Sequence, residues 1–215
     1  MVKTYILNTD SLDNRELFEN KLSTVDKERR KKVLRLPKNT PQKQSLGAGL
    51  LIKTFVGDVT SYGIGGKPQA LETQFNVSHS GKYVVLSIST EPVGVDIELL
   101  QRGRKKIASR FFTLEENIQI DQSYDPDKTF TRLWTLKEAF LKCIGSGIGK
   151  NLRQTEIDLN GGDIRVKQDI NNNPYYFKEY NVEGYQLSVC SEDNEFDEKL
   201  IDVTERILGT DSNTL

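Results

Sequence analysis

The chain has 215 residues, with 30 Lys and Arg against 31 Asp and Glu, two cysteines and a single histidine, His79. That length accommodates one large domain or two small ones, and a composition of 36% hydrophobic and 28% charged residues excludes a disordered chain. Cys143, Cys190 and His79 offer at most three soft ligands, which excludes a structural zinc site, and two cysteines exclude a disulfide framework.

Val2 to Leu7 reads as a strand. From Ser11 to Leu36 the apolar spacing predicts helix in two pieces, ended before Pro37. Here Lys27, Arg29, Arg30, Lys31, Lys32, Arg35, Lys38 and Lys43 are opposed only by Glu28. Such a run is either a solvated helix face or a seat for a phosphate-bearing ligand or acidic partner. Thr40-Pro41 predicts a helix start, with Thr40 as N-cap and Pro41 in the first position. That helix should pass through Leu46, Leu50, Leu51 and Phe55 and stop at Gly57, before a loop marked by Gly63, Gly65, Gly66 and Pro68.

Phe75 to Ser78, Tyr83 to Ser89 and Val93 to Leu99 read as strands of an antiparallel meander, with a turn at Ser80-Gly81. Helical patterns follow at about 103–120 and 126–144, linked by the polar stretch Asp121 to Lys128. From Glu156 onward, short strand-like runs alternate with Asn/Gly turns, and Glu192 to Glu205 is acidic. No stretch approaches the ~20 apolar residues of a membrane span, so a soluble, cytoplasmic protein is expected. Each half holds helices and a meander, which predicts an α+β chain of two subdomains, 1–100 and 101–215.

Three constellations can carry chemistry. In Gly94-Val95-Asp96-Ile97-Glu98, strand alternation puts Asp96 and Glu98 on one face, where two carboxylates can share an ion. All-oxygen ligation favours Mg²⁺ or Mn²⁺. Alone, such a pair is more often the wet face of an amphipathic strand. The helix around Trp134 to Lys142 is apolar over most of its circumference, and Lys137 falls inside its main stripe. Glu138 and Lys142 are i, i+4 neighbours on the remaining face, either as a surface pair or as a third carboxylate for the metal. In Asn76-Val77-Ser78-His79-Ser80-Gly81 the histidine is a solvated turn residue or a phosphate donor. The glycine clusters at 63–68 and 145–150 fit neither the phosphate-binding loop nor the dinucleotide fingerprint.

FNVSHSG, GVDIE, RFFTLEE and LWTLKEAFLKCIGSGI, in that order and spacing, resemble the 4′-phosphopantetheinyl transferases of the surfactin-synthetase-activating type. With GKP at 66–68 and the basic segment, the resemblance covers roughly residues 26–150. It implies a pseudo-dimer of two similar subdomains, each an antiparallel sheet packed with helices, acting as a monomer. Residues 1–100 would bind the coenzyme A phosphates, and residues 101–215 would form the metal and carrier-protein side. The implied reaction transfers the phosphopantetheine arm of coenzyme A to a serine of an apo acyl or peptidyl carrier protein, releasing adenosine 3′,5′-bisphosphate. No nucleic acid or membrane partner is implied.

The resemblance gives Asp96, Glu98 and Glu138 the Mg²⁺ (or Mn²⁺), with water in place of a ligand at Ile97. It makes Glu138 the base, directly or through a metal-bound water, ranks Glu116 as a lesser candidate, turns Lys142 to the phosphates and has Lys137 support the site. Lys31, Lys43, Lys67, Ser78 and His79 become coenzyme contacts. A second basic residue expected near Lys31 falls on Glu28, with Lys27 and Arg29 beside it. The carrier would dock between about Glu116 and Lys128 and on the next helix; fatty-acid, polyketide and peptide-synthetase carriers all stay open. Competing readings are a metal-dependent nuclease, which leaves His79 and GKP unexplained, and an inactive carrier or nucleotide binder.

Overall fold

Tyr5, Ile6 and Leu7 make strand β1 (Lys3–Asn8) apolar on both faces, and all three are buried. The computed structural model describes residues 1–57, 61–62, 68–70, 73–145, 152–159 and 163–209. After a 3₁₀ turn at Asp10–Asp13 come helices α1 (Arg15–Thr24) and α2 (Lys27–Arg35). The Asn14 and Asp26 side chains cap them, accepting from the Leu17 and Arg29 amides. The two helical pieces expected before Pro37 are present.

Helix α3 (Thr40–Phe55) begins with Pro41 in its first turn, but its N-cap is Asn39, at φ 75°, and not Thr40. Asn39 makes no side-chain capping hydrogen bond, and Thr40 is already helical. Strands β2 (Ser61–Tyr62), β3 (Pro68–Gln69), β4 (Gln74–Ser80), β5 (Tyr83–Ser89) and β6 (Val93–Leu99) follow. The expected helix over 103–120 divides into a 3₁₀ segment, Arg104–Arg110, and α4 (Leu114–Gln122). The break is chemical: Thr113 and Glu116 form a capping box that starts a new helix.

Helix α5 (Pro126–Ile144) starts at Asp125, whose side chain accepts from the Lys128 amide, and ends at Gly145, with φ 70°. The polar stretch before it contributes residues to both helices. A 3₁₀ turn at Leu152–Gln154 leads to β7 (Glu156–Asp158), β8 (Arg165–Lys167), β9 (Tyr176–Val182), β10 (Tyr185–Ser191), β11 (Ile201–Asp202) and α6 (Thr204–Leu208).

Among the described residues the two main sheets run β11-β1-β5-β4 and β6-β10-β9. Their topologies repeat. In the first half β1 is followed by α3 and the hairpin β4–β5, with β5 central; in the second, β6 is followed by α5 and β9–β10, with β10 central. This is the expected α+β architecture of similar antiparallel sheets packed with helices. Strand β6 pairs with β10, Ile97 opposite Leu187, while β11 returns to pair parallel with β1, Tyr5 opposite Ile201.

The sheets pack on each other through Ile6 and Val85 on one side and Val95, Ile97, Leu187 and Val189 on the other. α3 covers the outer face of the first sheet, burying Leu46, Leu50 and Leu51. α5 covers the second, with Phe130, Leu133, Leu136, Phe140 and Leu141 at 1% exposure or less. Burying each such side chain contributes roughly 1.5–3 kcal/mol, so this helix is fixed far more firmly by packing than by propensity. No helix among the described residues is long and apolar enough to cross a membrane.

Candidate active site

Strand β6 and helix α5 meet without a side chain between them. A Cβ on Gly94 would overlap the Ala139 carbonyl oxygen and the Cys143 amide nitrogen, so only glycine lets the backbones touch. This contact sets Lys142 over β6. Its ammonium reaches Asp96 Oδ1 at 2.6 Å, the Val95 carbonyl at 3.1 Å and Ser78 Oγ at 3.2 Å. Asp96 and Glu138 are buried, at 5% and 4% exposure, and Glu98 at the end of β6 is half-buried.

Glu138 is held high by this setting. Burial is the largest cause and the charges of Asp96 and Glu98 add to it, while Lys142 opposes them; the carboxyl is pushed up to about 7. Two oxygens here, Asp96 Oδ2 and Glu138 Oε1, are buried without a hydrogen-bond partner. Orphaned carboxylate oxygens are costly in a protein interior, and a hard divalent cation is the group whose chemistry answers both. As the side chains stand, no three His, Cys, Asp or Glu among the described residues gather into an ion cage, and Lys142 supplies the counter-charge on Asp96. The donor set is nevertheless all oxygen and fits Mg²⁺ or Mn²⁺.

His79 lies on β4, opposite Val84 of β5. Its ring meets solvent on one side yet is crowded enough for desolvation to lower its pKa, with the nearby Lys142 ammonium lowering it further. These influences disfavour the imidazolium, opposed by a hydrogen bond from the ring to its own backbone and by the Asp96 charge. Lys32 also acts on His79, and its own pKa is lowered by desolvation and by Arg29. Arg29 lies along Gly49 of α3. On α2, Lys32 is thus near enough to act on His79, while Arg29 packs on α3. Lys31, exposed like Lys32, is paired at 2.8 Å with Glu28, and Lys43 pairs with Asp13 at 2.8 Å. Ser78 is buried against Asp96, and Lys67 lies outside the described residues.

Glu116 is not gathered into this cluster by any hydrogen bond it makes. It is fully buried, with Oε2 2.5 Å from Lys137 Nζ and accepting from the Thr113 amide, and Oε1 accepting from the Ile157 amide. Lys137 is equally buried and also donates to the Leu152 carbonyl. The pair ties α4, α5 and the start of β7 together, one residue along from Glu138. Lys137→Met should cost about 3–5 kcal/mol, because a buried carboxylate loses its partner. Chemical denaturation would show it, and the Lys137→Met, Glu116→Gln double variant should recover part of the loss. A single variant as stable as the parent would contradict this account.

From sequence Lys31 is singled out and Arg29 is named as a neighbour, but Lys32 is not. Cations surround so much of α2 that helical phase alone does not select a face; buried Val33, which follows Lys32, is the one available signal.

The model of the 4′-phosphopantetheinyl transferase superfamily matches residues 92–190, which contain β6, α5 and the cluster between them. The 4′-phosphopantetheinyl transferase Sfp of Bacillus subtilis is 26% identical, over 93% of this chain and 96% of its own length. The 4′-phosphopantetheinyl transferase gsp of Aneurinibacillus migulanus is 29% identical over 89% and 86%. Among solved structures, the holo-[acyl-carrier-protein] synthase of Neisseria meningitidis aligns with 47% of this chain and 98% of its own, at 22% identity and a TM-score of 0.42.

Proposed function

We propose that this chain, which belongs to the 4′-phosphopantetheinyl transferase superfamily, moves the 4′-phosphopantetheine arm of coenzyme A onto a serine of an apo carrier protein. The observation that carries the reading is the pair of orphaned oxygens on Asp96 and Glu138 beside the Lys142 ammonium, with His79 close by. A buried acidic cluster facing a cationic rim suits a metal-dependent attack on a pyrophosphate.

In the transfer, the serine oxygen forms a bond to the phosphorus carrying the arm. The bond from that phosphorus to the leaving oxygen breaks, and adenosine 3′,5′-bisphosphate departs. The serine proton goes to Glu138, the buried carboxyl that α5 carries beside Asp96 and Lys142. Glu116 is a weaker choice, since both its oxygens are already engaged. Asp96, Glu98 and Glu138 would hold a Mg²⁺ or Mn²⁺ ion, which would neutralise charge on the pyrophosphate. Lys142 faces the phosphates from α5. His79 donates an N–H toward the nucleotide phosphate, and Ser78 fixes Asp96 beside it. Lys32 and Arg29 supply positive charge from α2, with Lys31, Lys43 and Lys67 as further coenzyme contacts.

Residues 1–100 form the coenzyme side in this reading and residues 101–215 the carrier side. Leu114, Ile118 and Tyr124 are exposed at 71%, 45% and 105%, on α4 and the turn after it. A cleft of about 370 Å³, lined by Leu100, Gln101, Arg102, Asp125, Asp127 and Lys128, opens next to that turn. The apo acyl or peptidyl carrier is proposed to dock there, on a protein working as a monomer in the cytoplasm.

Incubation with coenzyme A, Mg²⁺ and a panel of apo carriers of fatty-acid, polyketide and peptide-synthetase type should yield at least one carrier heavier by one phosphopantetheine arm. Unchanged masses across the panel, with folded protein, would sink the reading.

A further inference from the structure

Strands β4 and β6 are edge strands of different sheets, yet they run side by side. No backbone ladder joins them. The Val95, Ile97 and Leu99 amides instead donate to side chains of β4: Asn76 Oδ1 at 3.1 Å, Ser78 Oγ at 3.4 Å and Ser80 Oγ at 3.0 Å. Each pair is separated by 19 residues, so the two strands are parallel and in step. Strand alternation makes this possible, because side chains on one face and amides on one edge both recur every second residue.

The hydroxyls do more than accept. Ser78 Oγ donates to Asp96 Oδ1 at 2.8 Å, and Ser80 Oγ donates to Glu98 Oε2 at 3.2 Å. Each serine therefore holds one carboxylate and the next amide together. A hydroxyl has one proton and two lone pairs, and Ser78 uses all three, accepting from Ile97 N–H and Lys142 while donating to Asp96. At the third rung β6 offers Gly94 in place of an acid, and β4 offers Asn76, which accepts from Val95.

We propose that Asn76, Ser78 and Ser80 form a side-chain ladder that fixes the spacing and orientation of Asp96 and Glu98 for a divalent cation, with Ser80 as the positioning residue for Glu98. The inference rests on the functional reading above, but only through the carboxylates. Groups that hydrogen-bond to metal-ligating carboxylates commonly change metal affinity 10- to 100-fold when removed.

The test uses the full chain with Mn²⁺ as the probe, titrated by calorimetry or electron paramagnetic resonance without coenzyme A. Ser80→Ala should weaken Mn²⁺ binding about tenfold, and Ser80→Thr, which keeps the hydroxyl, should restore it. Amide exchange at Leu99 should quicken at least about tenfold in Ser80→Ala, and at Val95 in Asn76→Ala, as each amide loses its acceptor. Ser80→Ala binding Mn²⁺ like the parent, or Ser80→Thr binding as weakly as Ser80→Ala, overturns the proposal. Mn²⁺ affinity that follows the ladder in a protein that charges no carrier upholds it and removes the transferase reading. A parent chain that binds no Mn²⁺ overturns the ladder proposal, while the transferase reading stands or falls on the carrier masses.

Discussion

Glu138→Gln protein is expected to lose 10²- to 10⁴-fold in transfer rate, yet to melt higher than its parent at pH 8 when divalent cations are chelated. The rate loss follows from removing a general base that also serves as a cation ligand. The stability gain follows from the raised carboxyl. Its folded pKa is about 7 against 4.5 for an unperturbed glutamate, so between those values the folded chain binds a proton that the unfolded chain has released. Stability conferred by that proton is present below about pH 4.5 and lost as pH rises through 7. A shift of this size corresponds to roughly 3 kcal/mol, or several degrees in Tm for a chain this long. Gln has nearly the same shape and no charge to desolvate. Melting curves from pH 5 to 8.5 in chelator should fall with pH for the parent and stay flatter for the variant. Added Mg²⁺ should raise the parent's Tm at pH 8 much more than the variant's. A parent whose melting does not change over that range would remove the electrostatic basis of this account.

The second large effect is at Gly94. Gly94→Ala adds one methyl group, and the atoms it meets on α5 are backbone atoms of Ala139, Lys142 and Cys143. No side-chain change on the helix can relieve the overlap, so α5 must move away from β6. Overpacking of this kind costs typically 1–3 kcal/mol. The catalytic consequence should be larger than the loss of stability. Lys142 and Glu138 ride on α5, while Asp96 and Glu98 ride on β6, and a 1 Å misplacement can cost about 10²-fold in rate. A Gly94→Ala protein that stays mostly folded but transfers at least about a hundredfold more slowly, with weaker Mn²⁺ binding, is the expected result. Parent-like transfer from this variant would mean that the close backbone contact does not set the site.

Much of this was legible in the sequence because packing obeys simple periods. The apolar stripe of α5 gave its full length and placed Lys137 inside it. That the partner is Glu116 was not legible. It sits 21 residues away on another helix, in a capping box whose local signature says nothing about a distant lysine. Alternation along Gly94–Glu98 put Asp96 and Glu98 together, and the structure adds Lys142 to them. That Lys32 comes near His79 needed the packing of α2, since a helix this rich in cations has no unambiguous charged face. The ladder from β4 was hidden for a different reason. Its serines look like ordinary turn-flanking residues until a second strand is laid beside them at a constant offset.

The return of β11 to the edge of β1 has a consequence for how the molecule comes apart. The second half begins with β6, which leans on the first half through Asn76, Ser78 and Ser80, and the chain then comes back to clasp the strand it started from. The two similar halves are thus interlocked at both ends of the second, and they share the cluster containing Ile6, Val85, Ile97 and Leu187. Neither half can unfold without stripping the other of a core face, so despite its internal repeat the protein should melt in a single cooperative step, and a protease cut between β6 and α4 should release no folded fragment.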